Sequence, residues 1–92
     1  MKNTIAEFVA NICGGAFLVH NIENEENIDG IKKLDEIYFD NVLATTYEYS
    51  VSLTFDGNKE YKLIEEEICD VSTIMGDLVI TLEDFRQITI TG

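Results

Sequence analysis

The side chains that could support nucleophilic catalysis are few and scattered along the chain. A nucleophile needs a neighbouring base to activate it, and the sequence offers one histidine, His20, and two cysteines, Cys13 and Cys69. Nothing in the spacing pairs His20 with Cys13, and zinc would require about four cysteine or histidine ligands at characteristic spacings. No glycine-rich phosphate-binding loop occurs. These residues predict no enzyme, no metal site and no cofactor.

One acidic stretch resembles the calcium-binding loop of EF-hand proteins. That loop places oxygen ligands at alternating positions and a glutamate at position twelve. Counted from Glu25, the residues at positions three, five, six and twelve are Asn27, Asp29, Gly30 and Glu36. A lysine stands at position eight, where the motif has an apolar residue. Calcium binding is therefore one interpretation of the stretch, and a solvated acidic loop is the other.

The charge of the chain is its outlying property. The 92 residues include 18 acidic and 6 basic side chains, which gives a formal net charge of −12. Direct binding to nucleic acid requires lysine and arginine to displace counterions from phosphates, and anionic membranes also repel an acidic chain. A basic protein, in contrast, would be attracted from a distance, and its association would be fast and salt-sensitive. The alternative is that the charge serves only solubility.

Most of the acidic residues fall in two segments. Residues 23–40 carry seven acids against two lysines, and residues 56–70 carry six against two. If the fold brings the segments together, one face becomes a broad anionic surface that could occupy a basic nucleic-acid channel. Tyr38, Phe39 and Tyr61 could supply the apolar anchors that interfaces prefer, or they could pack in the core. The predicted partner-binding residues are Glu23, Glu25, Glu26, Asp29, Glu65, Glu66, Glu67 and Asp70.

A short helix is predicted over residues 3–13. A capping box of Thr4 and Glu7 would satisfy free backbone N–H groups at its start, and Gly14 and Gly15 would end it. Apolar residues three and four apart form one stripe, which consists of Ile5, Phe8, Val9 and Ile12.

The chain from the glycines to residue 40 is predicted to be helix and loop. The first helix could extend through the glycines to Val19. Residues 21–30 are polar and asparagine-rich, which is typical of an exposed loop. Residues 31–40 suit either a second short helix or a strand that begins at Ile37.

Alternation of apolar and polar residues predicts an antiparallel sheet in the rest of the chain. The pattern runs unbroken from Thr46 to Phe55 and predicts one half-buried strand. Asp56-Gly57-Asn58 is typical of a turn, so residues 59–65 are predicted to return as the second strand of a hairpin. Further strands are predicted within residues 68–75, 78–82 and 86–91.

These elements predict one α+β domain over residues 1–92, with a helical and loop part over residues 1–40 and an antiparallel sheet over residues 41–92. One short N-terminal helix, or two, would pack on a four- to five-stranded antiparallel β-meander. Cys13 and Cys69 stand in apolar settings that favour free, buried thiols, with a single disulfide as the alternative. No apolar run is long enough to span a membrane, so the predicted location is the cytoplasm.

The function predicted from size, charge and absent motifs is that of a small acidic inhibitor. It would block a basic nucleic-acid-processing protein, such as a nuclease, by protein–protein contact. Anti-CRISPR, anti-restriction and nuclease immunity proteins are the functional classes that share this physics. The first alternative is a structural or homo-oligomerising subunit without a charge-specific partner, and the second is a calcium-binding module.

Overall fold

A computed structural model describes the backbone of residues 1–22 and 31–92 and the side chains of residues 1–21 and 35–92. In these ranges the chain forms one helix, α1 (Lys2–Ala10), and eight strands. A short 3-10 turn, Glu65–Glu67, separates the fifth strand from the sixth. The strands are β1 (Gly15–Ile22), β2 (Ile31–Phe39), β3 (Val42–Thr46), β4 (Ser50–Phe55), β5 (Lys59–Ile64), β6 (Ile68–Ile74), β7 (Asp77–Leu82) and β8 (Arg86–Thr91).

The strands form two antiparallel sheets that share one core. The larger sheet has the order β2-β1-β8-β7-β6, and the smaller has the order β3-β4-β5. Phe17 of β1 contacts Phe55 of β4 and Tyr61 of β5, with ring centroids 5.0 and 4.9 Å apart. The ring centroid of Phe39, at the end of β2, lies 5.1 Å from the ring centroid of Phe55. Because these rings come from both sheets, they join them into a single apolar interior.

Helix α1 covers the smaller sheet, as its apolar stripe predicts. Ile5 and Val9 are fully buried, and Phe8 and Ile12 are partly buried against the same core. The helix lies mainly against β3 and also contacts β4. Its last residue is Ala10, three residues short of the predicted end.

The prediction of helix and loop is wrong where β1 and β2 lie, at residues 15–22 and 31–39. The strand that was the alternative for residues 31–40 is present, but it begins at Ile31 and not at Ile37. Residues 23–30 of the predicted loop lie outside the described residues.

Gly15 allows the first residue of β1 to lie close to the end of β8. A Cβ atom at this position would lie 1.7 Å from the carbonyl oxygen of Thr91, so only glycine allows β8 to pair closely with β1. After it, Phe17 and Val19 are buried while Leu18 is not. This alternation is the strand period.

The single strand predicted from Thr46 to Phe55 is in fact a turn followed by a strand. The N–H of Tyr47 donates to the carbonyl oxygen of Ser50 at 2.8 Å, and Thr46 pairs with Val51 across the resulting hairpin. Tyr47 and Tyr49 therefore lie in the turn and are exposed, although the alternation places them on the buried face. Alternation of apolar and polar residues can continue unbroken through a short turn. It therefore does not distinguish one long strand from two strands joined by such a turn.

The remaining strand predictions are confirmed to within about two residues. Asp56 and Gly57 have positive φ values of 52° and 76°, as the predicted turn requires. The Asp56 carboxylate accepts N–H groups of Asp40 and Asn41 at 3.0 and 2.9 Å, which ties this turn to the end of β2. The α+β class with an antiparallel meander is confirmed, and the described residues contain more strands than the four or five predicted.

Both cysteines are free, and the disulfide alternative is not formed. Cys13 follows α1, and Cys69 lies on β6 at a register shift in its pairing with β7. Both side chains are exposed, so the prediction that they are buried is wrong. No helix within the described ranges is long and apolar enough to cross a membrane.

Candidate partner-binding surface

The strand register brings three chain segments to one end of the larger sheet. Asn21 of β1 pairs with Arg86 of β8, and Ile68 of β6 pairs with Leu82 of β7. Three segments therefore lie side by side at this end: the start of β6, the β7–β8 turn and the end of β1. In an antiparallel meander alternate turns fall at the same end, so the Glu65–Glu67 turn and the β7–β8 turn share this end.

Hydrogen bonds join the smaller sheet to the same end. The N–H of Glu65 donates to the carbonyl oxygen of Tyr49 at 2.9 Å, and the N–H of Glu83 donates to that of Glu67 at 2.9 Å. The 3-10 turn thus contacts both the β3–β4 turn and the β7–β8 turn. We call this surface the acidic end and define it by residues 47–49, 65–67, 70 and 83–86.

The structure brings half of the predicted partner-binding residues to the acidic end. Glu66 and Asp70 are exposed, and Glu65 and Glu67 are half-buried. Glu23, Glu25, Glu26 and Asp29 lie outside the described residues, but the strand residues that flank them, Ile22 and Ile31, pair with each other at this end. The exposed residues Glu48, Glu83 and Asp84 also belong to the acidic end, and the sequence prediction missed them. The alternation of turns in the predicted meander is the signal that could have identified the last two.

Glu65 has a structural role at this end. Its carboxylate accepts the amino terminus of Met1 at 3.2 Å and the N–H of Lys2 at 3.0 Å, so it satisfies free donors at the start of α1. The predicted capping box is wrong, because Thr4 lies inside the helix and no side chain of the first turn caps it. The helix start depends on a carboxylate more than 60 residues away along the chain.

We expect Glu65→Ala to lower the free energy of unfolding by about 1 kcal/mol, the usual cost of losing a helix N-cap. Thermal unfolding followed by circular dichroism would measure this as a fall in Tm of about 4–8 °C. Glu66→Ala is the matched control, because it removes the same charge from the adjacent, exposed position and should change Tm by less than about 2 °C. Equal losses in the two variants would show that Glu65 does not anchor the helix.

Aromatic side chains are exposed among these carboxylates. The exposed fractions of Tyr47, Tyr49 and Phe85 are 56%, 67% and 70%. An open groove of about 340 Å³ lies beside the two tyrosines, and its lining is completed by Glu48, Ser50, Lys62 and Ile64. The acidic end therefore combines carboxylates with rings that lack a packing partner in the core.

Two of the three aromatic residues predicted as anchors serve the core instead. Phe39 is buried, and the ring of Tyr61 packs against Phe17. Tyr38 is exposed, but its hydroxyl donates to the carboxylate of Glu36. Tyr38 pairs with Ala16 near the opposite end of the sheet, so it does not contribute to the acidic end.

Two cations at or beside the acidic end, Arg86 and Lys2, are held by intramolecular contacts, whereas Lys62 lines the groove beside the tyrosines. The Nε of Arg86 donates to the Asp84 carboxylate at 2.6 Å, and its Nη1 donates to the Tyr61 hydroxyl at 3.3 Å. The ammonium group of Lys2 donates to the carbonyl oxygens of Tyr47 and Glu48. At the acidic end, four exposed residues have carboxylates without an ion-pair or hydrogen-bond partner among the described residues: Glu48, Glu66, Asp70 and Glu83.

The calcium motif and the histidine do not form a site in the part of the chain that the structure describes. Positions seven to twelve of the motif lie on β2, where Glu36 pairs with Leu18 of β1, whereas its first six positions, 25–30, are outside the described residues. No cluster of three or more possible metal ligands occurs among the described residues. The Nδ1 atom of His20 is buried without a hydrogen-bond partner there.

Comparisons with known proteins add no information about function. The function of the chain therefore has to follow from the chemistry of its own surface. No protein-family model, no curated protein and no solved structure matches the chain.

Proposed function

We propose that the protein is a small acidic inhibitor that acts in the cytoplasm and covers the nucleic-acid-binding surface of a basic protein. The observation that carries the proposal is the acidic end, where unpaired carboxylates and three exposed aromatic rings lie on contacting turns. Carboxylates would take the places that phosphates occupy on the target, and the aromatic residues would supply the apolar anchors of the interface. Anti-CRISPR, anti-restriction and nuclease immunity proteins are the functional classes that act in this way.

The spacing of the carboxylates supports collective action. Neighbouring strands lie about 4.8 Å apart, so Asp70 on β6 is about 10 Å from β8. This separation is close to the Debye length of about 8 Å at physiological ionic strength. Adjacent carboxylates therefore reinforce each other's potential. The four acids between Ile22 and Ile31 add to the charge that an approaching basic protein meets.

The net charge supports the same proposal through association kinetics. A formal charge of −12 on 92 residues attracts a basic partner before contact and raises the association rate, with a strong dependence on salt. Nucleic acid and anionic membranes are repelled by the same field. The target would consequently be a protein, and the inhibitor would compete with nucleic acid for it.

A structural or oligomerising role is the second candidate, because an edge strand of the larger sheet exposes apolar side chains. Ile74 on β6 and Met75 after it are 54% and 99% exposed, and β6 has no strand beyond it within the described residues. Edge strands of this kind pair with other chains. This role predicts an assembly that high salt does not dissociate.

A pull-down with competition tests the two candidates against each other. Immobilised protein is incubated with lysate of the source cells at low salt and at about 0.5 M salt, where the Debye length is about 4 Å, and bound protein is challenged with duplex DNA. We expect a basic nucleic-acid-binding protein to be retained at low salt, to be reduced at least about tenfold at high salt, and to be released by DNA. Recovery of only the protein itself, as a salt-insensitive oligomer, would contradict inhibition and favour the structural role.

A further inference from the structure

The β7–β8 turn contains a bulky residue where the backbone favours glycine. The N–H of Phe85 donates to the carbonyl oxygen of Leu82 at 3.2 Å, and Phe85 has a φ of 65°. Three-residue hairpin loops of this geometry end in the left-handed conformation, which glycine adopts without steric cost. A phenylalanine at this position is a conformational outlier.

Core packing does not account for this residue. The ring of Phe85 is 70% exposed and takes no part in the apolar interior. Neither the backbone nor the core favours phenylalanine here, and conflicts of this kind between sequence and local structure are typical of functional positions.

Hydrogen bonds from Arg86 to two residues restrain the turn that carries the ring. The Asp84 carboxylate accepts the N–H of Arg86 at 3.2 Å and its Nε at 2.6 Å. The same guanidinium donates to the hydroxyl of Tyr61, whose ring packs on Phe17 in the core. These contacts restrain the backbone that carries Phe85, which lowers the entropy lost when a partner binds it.

We infer that Phe85 is the apolar anchor of the acidic end and that it inserts into an apolar pocket rimmed by arginine or lysine on the partner. Charge complementarity selects this partner, because Glu83 lies in the same turn as Phe85 and its N–H donates to the carbonyl oxygen of Glu67, and Glu66 is exposed on the same turn as Glu67. Arg86, the nearest cation, is already paired with Asp84. This role rests on the proposed function. It specifies which side chain adds apolar contact, and so affinity, to the electrostatic attraction at the interface.

Met75 provides a matched comparison within the same sheet. It also has a positive φ, 52°, and it is 99% exposed. It lies in the β6–β7 turn at the opposite end of the sheet, where Ile74 pairs with Asp77. Met75 therefore shares the conformation and exposure of Phe85, but its turn carries one acidic residue, Asp77, in place of the several at the acidic end.

The test uses two labelled peptides and fluorescence anisotropy at low salt. In one peptide arginine alternates with leucine, and in the other arginine alternates with serine. We expect the arginine–leucine peptide to bind the wild-type chain about tenfold more tightly, because only it offers apolar contact to the ring. Phe85→Gly should remove that advantage and leave arginine–serine binding within about twofold. Phe85→Tyr should retain the advantage, and so should Met75→Gly.

Thermal unfolding separates loss of contact from loss of fold. Phe85→Gly should not lower Tm, because glycine relieves the left-handed strain. Equal affinity of the wild type for the two peptides, or equal losses in Phe85→Gly and Met75→Gly, would overturn the anchor role while cation binding by the acidic end stands. Binding of neither peptide would contradict the proposed function, and the anchor role with it.

Discussion

Simultaneous replacement of Glu66, Asp70 and Glu83 by lysine is expected to weaken binding of the captured basic partner at least about 100-fold. These three side chains are exposed, and no hydrogen bond or ion pair within the described residues depends on them. The change therefore reverses the potential of the acidic end without removing an internal contact. Like charges that face each other across an interface cost several kcal/mol, and each 1.4 kcal/mol is about a tenfold loss of affinity. Biosensor measurements at fixed ionic strength would give the dissociation constant.

A second triple variant separates local charge from net charge. Lysine at Glu7, Asp40 and Asp77 changes the formal charge by the same amount at positions away from the acidic end. We expect this control to slow association a few-fold, because long-range attraction falls, and to leave the dissociation rate nearly unchanged. Equal losses in both variants would mean that only net charge matters. Unchanged binding in both would remove the acidic end from the interface.

The last part of the chain was predictable because its signals are local. Arg86–Thr91 forms β8 as predicted, since alternation and flanking turn residues are both visible in a short window. β1 was not predictable in the same way. Its start depends on the close approach of Gly15 to Thr91, a contact between residues at opposite ends of the sequence.

The acidic end was predictable in composition but not in detail. The three consecutive acids Glu65–Glu67 indicate an anionic surface. The neighbouring sequence does not distinguish Glu65, which anchors α1, from Glu66, which faces solvent. Sequence position likewise does not show that Glu83 contacts Glu67, because that contact follows from strand register. Phe85 was missed because an apolar residue next to a strand is normally assigned to the core.

Replacement of Phe17 by alanine is expected to lower the free energy of unfolding by about 3–5 kcal/mol. For a chain of this length the total stability is about 5–14 kcal/mol, so one substitution removes a large part of it. Phe17 is fully buried and contacts rings of β4 and β5 from its position on β1. The cavity left by its ring would therefore open between the two sheets, where neither sheet can relax into it alone.

Urea unfolding monitored by circular dichroism would measure this loss as a lower midpoint at an unchanged slope. Leu43→Ala is the control, because that side chain is 66% exposed and should cost less than about 0.5 kcal/mol. Phe17→Leu keeps most of the apolar volume and should fall between them. Tyr61, whose hydroxyl accepts a hydrogen bond from Arg86, packs directly on Phe17. The substitution should therefore also increase the mobility of the β7–β8 turn. If Phe17→Ala and Leu43→Ala unfolded at the same urea concentration, the two sheets would not share the core described above.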